Sequence, residues 1–94
     1  MQKFEILATF PRDTFPYSDD QVGCGYQEAH NALDAVIREI SGPMVGTKNA
    51  ESISAEDDEI DVTAFRRGDE WEVHVYTYVE IDSADKFFTL PVAK

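Results

Sequence analysis

The chain is poor in the residues that most readily betray a function. It has one cysteine, Cys24, which excludes an internal disulfide and suits a reducing compartment. It has eight Lys and Arg against nineteen Asp and Glu, a formal charge of −11. Gripping a phosphate backbone takes clustered bases, and here they are scattered singly apart from Arg66-Arg67. Nucleic acid is therefore not expected as a direct ligand, and anionic membranes are disfavoured for the same reason. No stretch approaches the ~20 apolar residues of a membrane span. Met1-Gln2-Lys3-Phe4-Glu5 lacks the apolar run of a secretory signal. These absences together predict a soluble, cytoplasmic protein.

Chemistry-bearing motifs are scarce too. Zinc requires three or four ligands at matching spacing, and Cys24, His30 and His74 do not supply it. The EF-hand spacing with its central glycine is missing. Gly23-Cys24-Gly25 does not directly follow a strand, so it is not read as a phosphate loop. Cys24 with His30 or His74 could in principle form a nucleophile and its base. A reactive thiolate needs a positive neighbourhood, whereas Asp19, Asp20 and Glu28 lie around Cys24 in sequence, so a small buried thiol is the plainer reading. No catalytic residue, metal or cofactor is assigned, and a non-enzymatic role is expected.

What the chain does have is a hydrophobic fraction of 43% with eleven aromatics, enough for one folded domain spanning residues 1–94. Lys3 to Phe10 alternates with period two and reads as a strand ended by Pro11. Pro11 to Tyr17 reads as a loop. Ser18-Asp19-Asp20-Gln21 matches a capping box. Behind it Val22, Tyr26, Ala29, Leu33, Val36 or Ile37, and Ile40 form a helical stripe. Gly23 and Gly25 would weaken the first turns by about 1 kcal/mol each, so the helix is expected to start at Ser18 or near Gly25. Gly42 in a left-handed cap and Pro43 would end it.

Pro43 to Glu59 reads as a long irregular connection, with a helical turn over Ser52 to Glu59 left open. Ile60 to Arg66 and Trp71 to Ile81 read as a hairpin joined at Arg67-Gly68-Asp69-Glu70, and Phe87 to Val92 as a last, edge strand limited by Pro91. The expected fold is α+β, with a single helix on a mostly antiparallel 3–4-stranded sheet in the order β-α-β-β-β. Its core would join the helix stripe to the Trp71, Val73, Val75 and Val79 face.

Two features stand out as candidate contact sites. On the other side of the hairpin, Glu72, His74, Tyr76, Tyr78 and Glu80 alternate outward, Phe65 and Thr63 join from its partner strand, and Leu7 is a further candidate from the first strand. With only one helix expected, nothing evident covers this face, and uncovered aromatics beside acids resemble an interface. The plainer reading is a wet sheet capped by tyrosines or folded over by loops. The second feature is the acidic run Glu56-Asp57-Asp58-Glu59 with Asp61. It would steer a basic partner into contact, as a surrogate for nucleic-acid phosphates; as a solvated loop it would simply keep the chain soluble and block edge pairing.

In outline this short, acidic, single-domain profile resembles the small inhibitors carried by phages and mobile elements, many anti-CRISPR proteins among them. The resemblance is one of class and composition. It implies a protein-binding inhibitor or adaptor acting on a basic surface, one that normally holds DNA or RNA. Two other roles stay open: a small ligand-binding or enzymatic domain built on Cys24, His30 and His74, and a homodimer subunit pairing through its open sheet face.

Overall fold

The computed structural model describes residues 1–10, 21–42, 44, 47, 49–77 and 86–92. Its elements are β1 (Gln2–Thr9), β2 (Gln21–Ala29), α1 (Ala32–Ser41), β3 (Ser52–Glu56), β4 (Ile60–Arg67), β5 (Glu70–Thr77) and β6 (Lys86–Pro91). The strands form one sheet in the order β2-β1-β3-β4-β5-β6, every neighbouring pair antiparallel. α1 lies on one side, packed against β1 to β4. The α+β class and the single helix are as expected, but the sheet has six strands rather than three or four. Among the described residues no helix is long and apolar enough to cross a membrane.

The core follows from period-two alternation on the sheet and the apolar stripe on the helix. Phe4, Ile6 and Ala8 of β1, Ile53 and Ala55 of β3, Val62 and Ala64 of β4, and Trp71 and Val73 of β5 are buried on one face. Ala32, Ala35, Val36 and Ile40 of α1 close over part of it. Burying each of the larger side chains contributes roughly 1.5–3 kcal/mol. The alanines matter differently: having no side-chain bulk, they let helix and sheet backbones approach closely.

The first extra strand, β2, occupies residues expected to begin the helix. Gln21, read as the last member of a capping box, opens a strand, and Tyr26 belongs to the sheet rather than to a helical stripe; Ser18, Asp19 and Asp20 lie outside the described residues. Gly23 and Gly25 carry the physical reason. Leu7 pairs with Gly23 and Ile6 with Gly25, so Cys24 is the extra residue of a β-bulge. Gly25 has φ +130°, a conformation that side-chain-bearing residues rarely adopt. A glycine at position 25, which would merely weaken a helix, is what this bulged strand requires.

The second extra strand, β3, lies inside the stretch read as irregular, and it is a strand rather than a helical turn. It slots between β1 and β4, with Ile53 and Ala55 inward and Ser52 and Ser54 outward. Its flank is tied to both neighbours: the Glu51 amide donates to the Thr9 carbonyl at 2.8 Å and the Arg66 amide to the Glu51 carbonyl at 2.8 Å. The Thr9 and Ser52 hydroxyls are hydrogen-bonded to each other.

The helix therefore starts late, at its own cap. The Asn31 side chain accepts from the Asp34 amide at 2.8 Å, and the Asp34 carboxylate accepts from the His30 amide at 2.9 Å. Asp34 thus reaches back from the third helical position as in a capping box, but to the amide one residue before the cap rather than to the cap's own, and it also holds Arg38 at 2.9 Å. The far end stops at Gly42 as expected, but in an extended conformation (φ −95°, ψ −164°) rather than a left-handed one. Glycine is suited there by space, since a Cβ would come within 3.0 Å of the Arg38 carbonyl oxygen. The β4–β5 hairpin is as expected, with Gly68 at φ +63° in its two-residue turn.

Asp57 joins the two halves of the fold. One carboxylate oxygen accepts from the Glu59 and Ile60 amides at 2.8 and 2.9 Å, closing the β3–β4 turn; the other accepts from the Ala32 amide at 2.9 Å, at the helix N-terminus. Burial pushes this carboxyl's pKa up, but the three amide donors outweigh it, and the net effect is a lowering below the ordinary 3.8. A depressed folded value means that the stabilisation is present above 3.8 and is lost as pH falls through the folded value. Asp57→Ala is expected to cost about 2 kcal/mol in urea unfolding at neutral pH, and the gap to wild type should shrink in acid below 3.8. A gap that stays constant across that range would remove the tether from the account.

Candidate functional site

The face of the sheet away from α1 has no second layer among the described residues. The registers place on it Lys3, Glu5, Leu7 and Thr9 of β1, Tyr26 and Glu28 of β2, and Ser52, Ser54 and Glu56 of β3. Asp61, Thr63, Phe65 and Arg67 of β4, Glu70, Glu72, His74 and Tyr76 of β5, and Phe87 and Thr89 of β6 complete it. Tyr26, Tyr76 and Phe87 are 67%, 51% and 64% exposed. Glu5, Glu28, Glu56, Asp61, Glu70 and Glu72 place six carboxylates here against the two bases Lys3 and Arg67.

Within this face one row of side chains crosses five strands. Tyr26 pairs with Glu5, Glu56 with Asp61, and Asp61 with Tyr76. The β1–β3 register, in which Leu7 is opposite Ser54, brings Glu5 level with Glu56 when continued by two residues. The result is Tyr26–Glu5–Glu56–Asp61–Tyr76: three carboxylates side by side, bracketed by tyrosines, over about 19 Å at ~4.8 Å per strand. A groove of about 340 Å³ lies along it, lined by Glu5, Glu56 and Asp61 together with Leu7, Ser54 and Thr63. Like charges directly opposite one another in a sheet are destabilising, so folding works against this row.

The neighbouring part of the face is knitted together internally. His74 Nε2 lies 2.7 Å from a Glu72 carboxylate oxygen. The His74 ring meets Phe65 edge-on at 5.4 Å and stacks on Phe87 at 5.6 Å. The Arg67 guanidinium sits 5.4 Å above the Phe65 ring, with its Nε 3.7 Å from Glu72. A cation resting on an aromatic ring beside a carboxylate is thus already present on this surface.

The residues expected to contact a partner separate into groups. Glu56, Asp61 and Tyr76 fall in the central row, and Phe65, Glu72 and His74 in the knitted patch beside it. Asp58 and Glu59 are exposed at the β3–β4 turn. Asp57 is turned away to the backbone amides described above. Tyr78 and Glu80, and with them Val79, lie outside the described residues. Glu5, Tyr26 and Phe87 belong to the face without having been singled out; Tyr26 was hidden by its helical spacing, and Glu5 by lying more than fifty residues from the other two carboxylates of the row.

Cys24, His30 and His74 are not brought together. Cys24 is in edge strand β2, His30 at the β2–α1 corner, and His74 in β5 with three strands between. At ~4.8 Å per strand, β2 and β5 are about 19 Å apart. Among the described residues no three His, Cys, Asp or Glu side chains gather to hold a metal ion. No family model, curated protein or solved structure matches the chain.

The opposed carboxylates give a stability test. Asp61→Asn removes one charge from the middle of the row and keeps the shape. It is expected to stabilise the fold by about 0.5 kcal/mol, a rise of roughly 2–4 °C in midpoint for a chain of this size, with a larger gain at low salt. A lower midpoint, or a gain indifferent to salt, would show that the row carries no repulsive strain.

Proposed function

We propose that the protein is a non-catalytic binding module whose uncovered sheet face docks onto a basic protein surface. The observation that carries this reading is the Tyr26–Glu5–Glu56–Asp61–Tyr76 row, where aromatic area and negative charge lie on one rigid support. Tyrosines supply desolvated contact area at small entropic cost and are enriched in interface cores. The carboxylates, backed by a net charge of −11, supply steering and select against acidic partners. In projection a face of this width and strand length covers about 600 Å², near the ~800 Å² each partner buries in a standard interface.

The partner class follows from charge. Surfaces that hold DNA or RNA are the densest basic surfaces proteins present, so an inhibitor or adaptor of a nucleic-acid-binding protein is the form of this function the face suits best. That agrees with the resemblance in composition to the small acidic inhibitors of mobile elements. Pairing of this face with itself in a homodimer is the weaker reading, because it would set carboxylates against carboxylates.

The test is capture from lysate on immobilised protein, wild type beside the triple variant Glu5→Gln, Glu56→Gln and Asp61→Asn, at low and high salt. Proteins held by wild type at low salt should be released by high salt or by added DNA, and should not be held by the variant. An identical retained set on both proteins, or retention indifferent to salt, would overturn the reading.

A further inference from the structure

The geometry points to a specific occupant: an extended, arginine-bearing segment of the partner, laid across the strands along the Tyr26–Glu5–Glu56–Asp61–Tyr76 row. This rests on the docking reading above and narrows it from a basic surface to one side-chain chemistry and one backbone shape.

The choice of arginine comes from the face itself. Arg67 lies over Phe65 at 5.4 Å with Glu72 at 3.7 Å, so one position on this surface already holds a guanidinium between ring and carboxylate. Tyr76 beside Asp61, and Tyr26 beside Glu5, repeat that pairing of ring and carboxylate across adjacent strands. A planar guanidinium stacks on a ring and hydrogen-bonds a carboxylate through the same group, which a compact ammonium does less well. The groove of about 340 Å³ adds the Ser54 and Thr63 hydroxyls as acceptors on the path between the two tyrosines.

The backbone shape comes from the length of the row. About 19 Å of row at ~4.8 Å per strand matches about six residues of extended chain at ~3.3 Å each. Alternate side chains of such a segment point the same way, so two or three arginines reach the face together. Charge selects against the other occupants. Six carboxylates against two bases repel a nucleic acid strand and also a second copy of this chain.

The experiment uses two fluorescent peptides of equal length and charge, one alternating arginine with serine and the other lysine with serine. Anisotropy titrations at low salt compare the full chain with its Tyr26→Leu/Tyr76→Leu variant; both positions are exposed, and circular dichroism checks that the variant is folded. The arginine peptide is expected to bind wild type about tenfold more tightly than the lysine peptide, at two- to fivefold per stacked guanidinium. In the variant the gap should close to about twofold or less by loss of arginine affinity alone. Equal affinities, or a gap that persists in the variant, would overturn the arginine assignment and leave basic docking standing. Binding of neither peptide, or tighter binding of a labelled single-stranded oligonucleotide, would overturn both.

Discussion

A ten-residue helix is about 15 Å long, whereas six antiparallel strands are roughly 24 Å across. One helix therefore covers part of one face of this sheet and none of the other. Everything distinctive about the molecule follows from that shortfall. The covered face joins alanines and β-branched residues to Phe4 and Trp71, and α1 packs over β1 to β4. The other face, which has no second layer among the described residues, carries Ser, Thr and carboxylates on the central strands. Solubility alone would be satisfied by those residues. It does not call for Tyr26, Tyr76 and Phe87 among them.

Two aspartates four residues apart show how context divides one chemistry between opposite uses. Asp57 receives three backbone amides and ties the β3–β4 turn to the start of α1, so its charge is satisfied within the fold. Asp61 stands in a strand opposite Glu56, where its charge opposes folding. The first is a structural residue that sequence reasoning grouped with the candidate contacts because it lies in the same acidic run. The second sets a like charge opposite Glu56 on the neighbouring strand, against the usual rule of sheet pairing.

The legible parts of the fold were those in which local pattern and tertiary position agree. The β4–β5 hairpin, the first strand, the last edge strand and the second half of the helix all carry uninterrupted periodicity, and the structure has them within a residue or two of the expected limits, except that β5 is described only to Thr77 and the expected end at Ile81 lies outside the described residues. The helix start was misplaced because Val22, Tyr26 and Ala29 happen to fall at three- and four-residue spacing, and the glycines between them read as defects rather than as a bulge. β3 was missed because five residues with two serines carry almost no hydrophobic signal. Its strand character comes from being clamped between β1 and β4. The outward face of the hairpin could be read from alternation. The central row could not, because it is assembled from strands whose order in the sheet is not their order in the chain.

That non-sequential order bears on what the acids are for. Charges that protect a sheet against unwanted pairing belong on its edge strands, where unpaired amides and carbonyls are exposed. Here the edges are β2 and β6, and the described acids there are few: Glu28 on β2, and none on β6, where Pro91 and Lys86 stand instead. Glu5, Glu56 and Asp61 are on β1, β3 and β4, three interior strands already paired on both sides. Carboxylates at those positions guard no edge, and their mutual repulsion works against the fold. On the docking proposed above, an incoming cation would relieve that repulsion, so that what costs stability in the isolated chain would add to affinity in a complex.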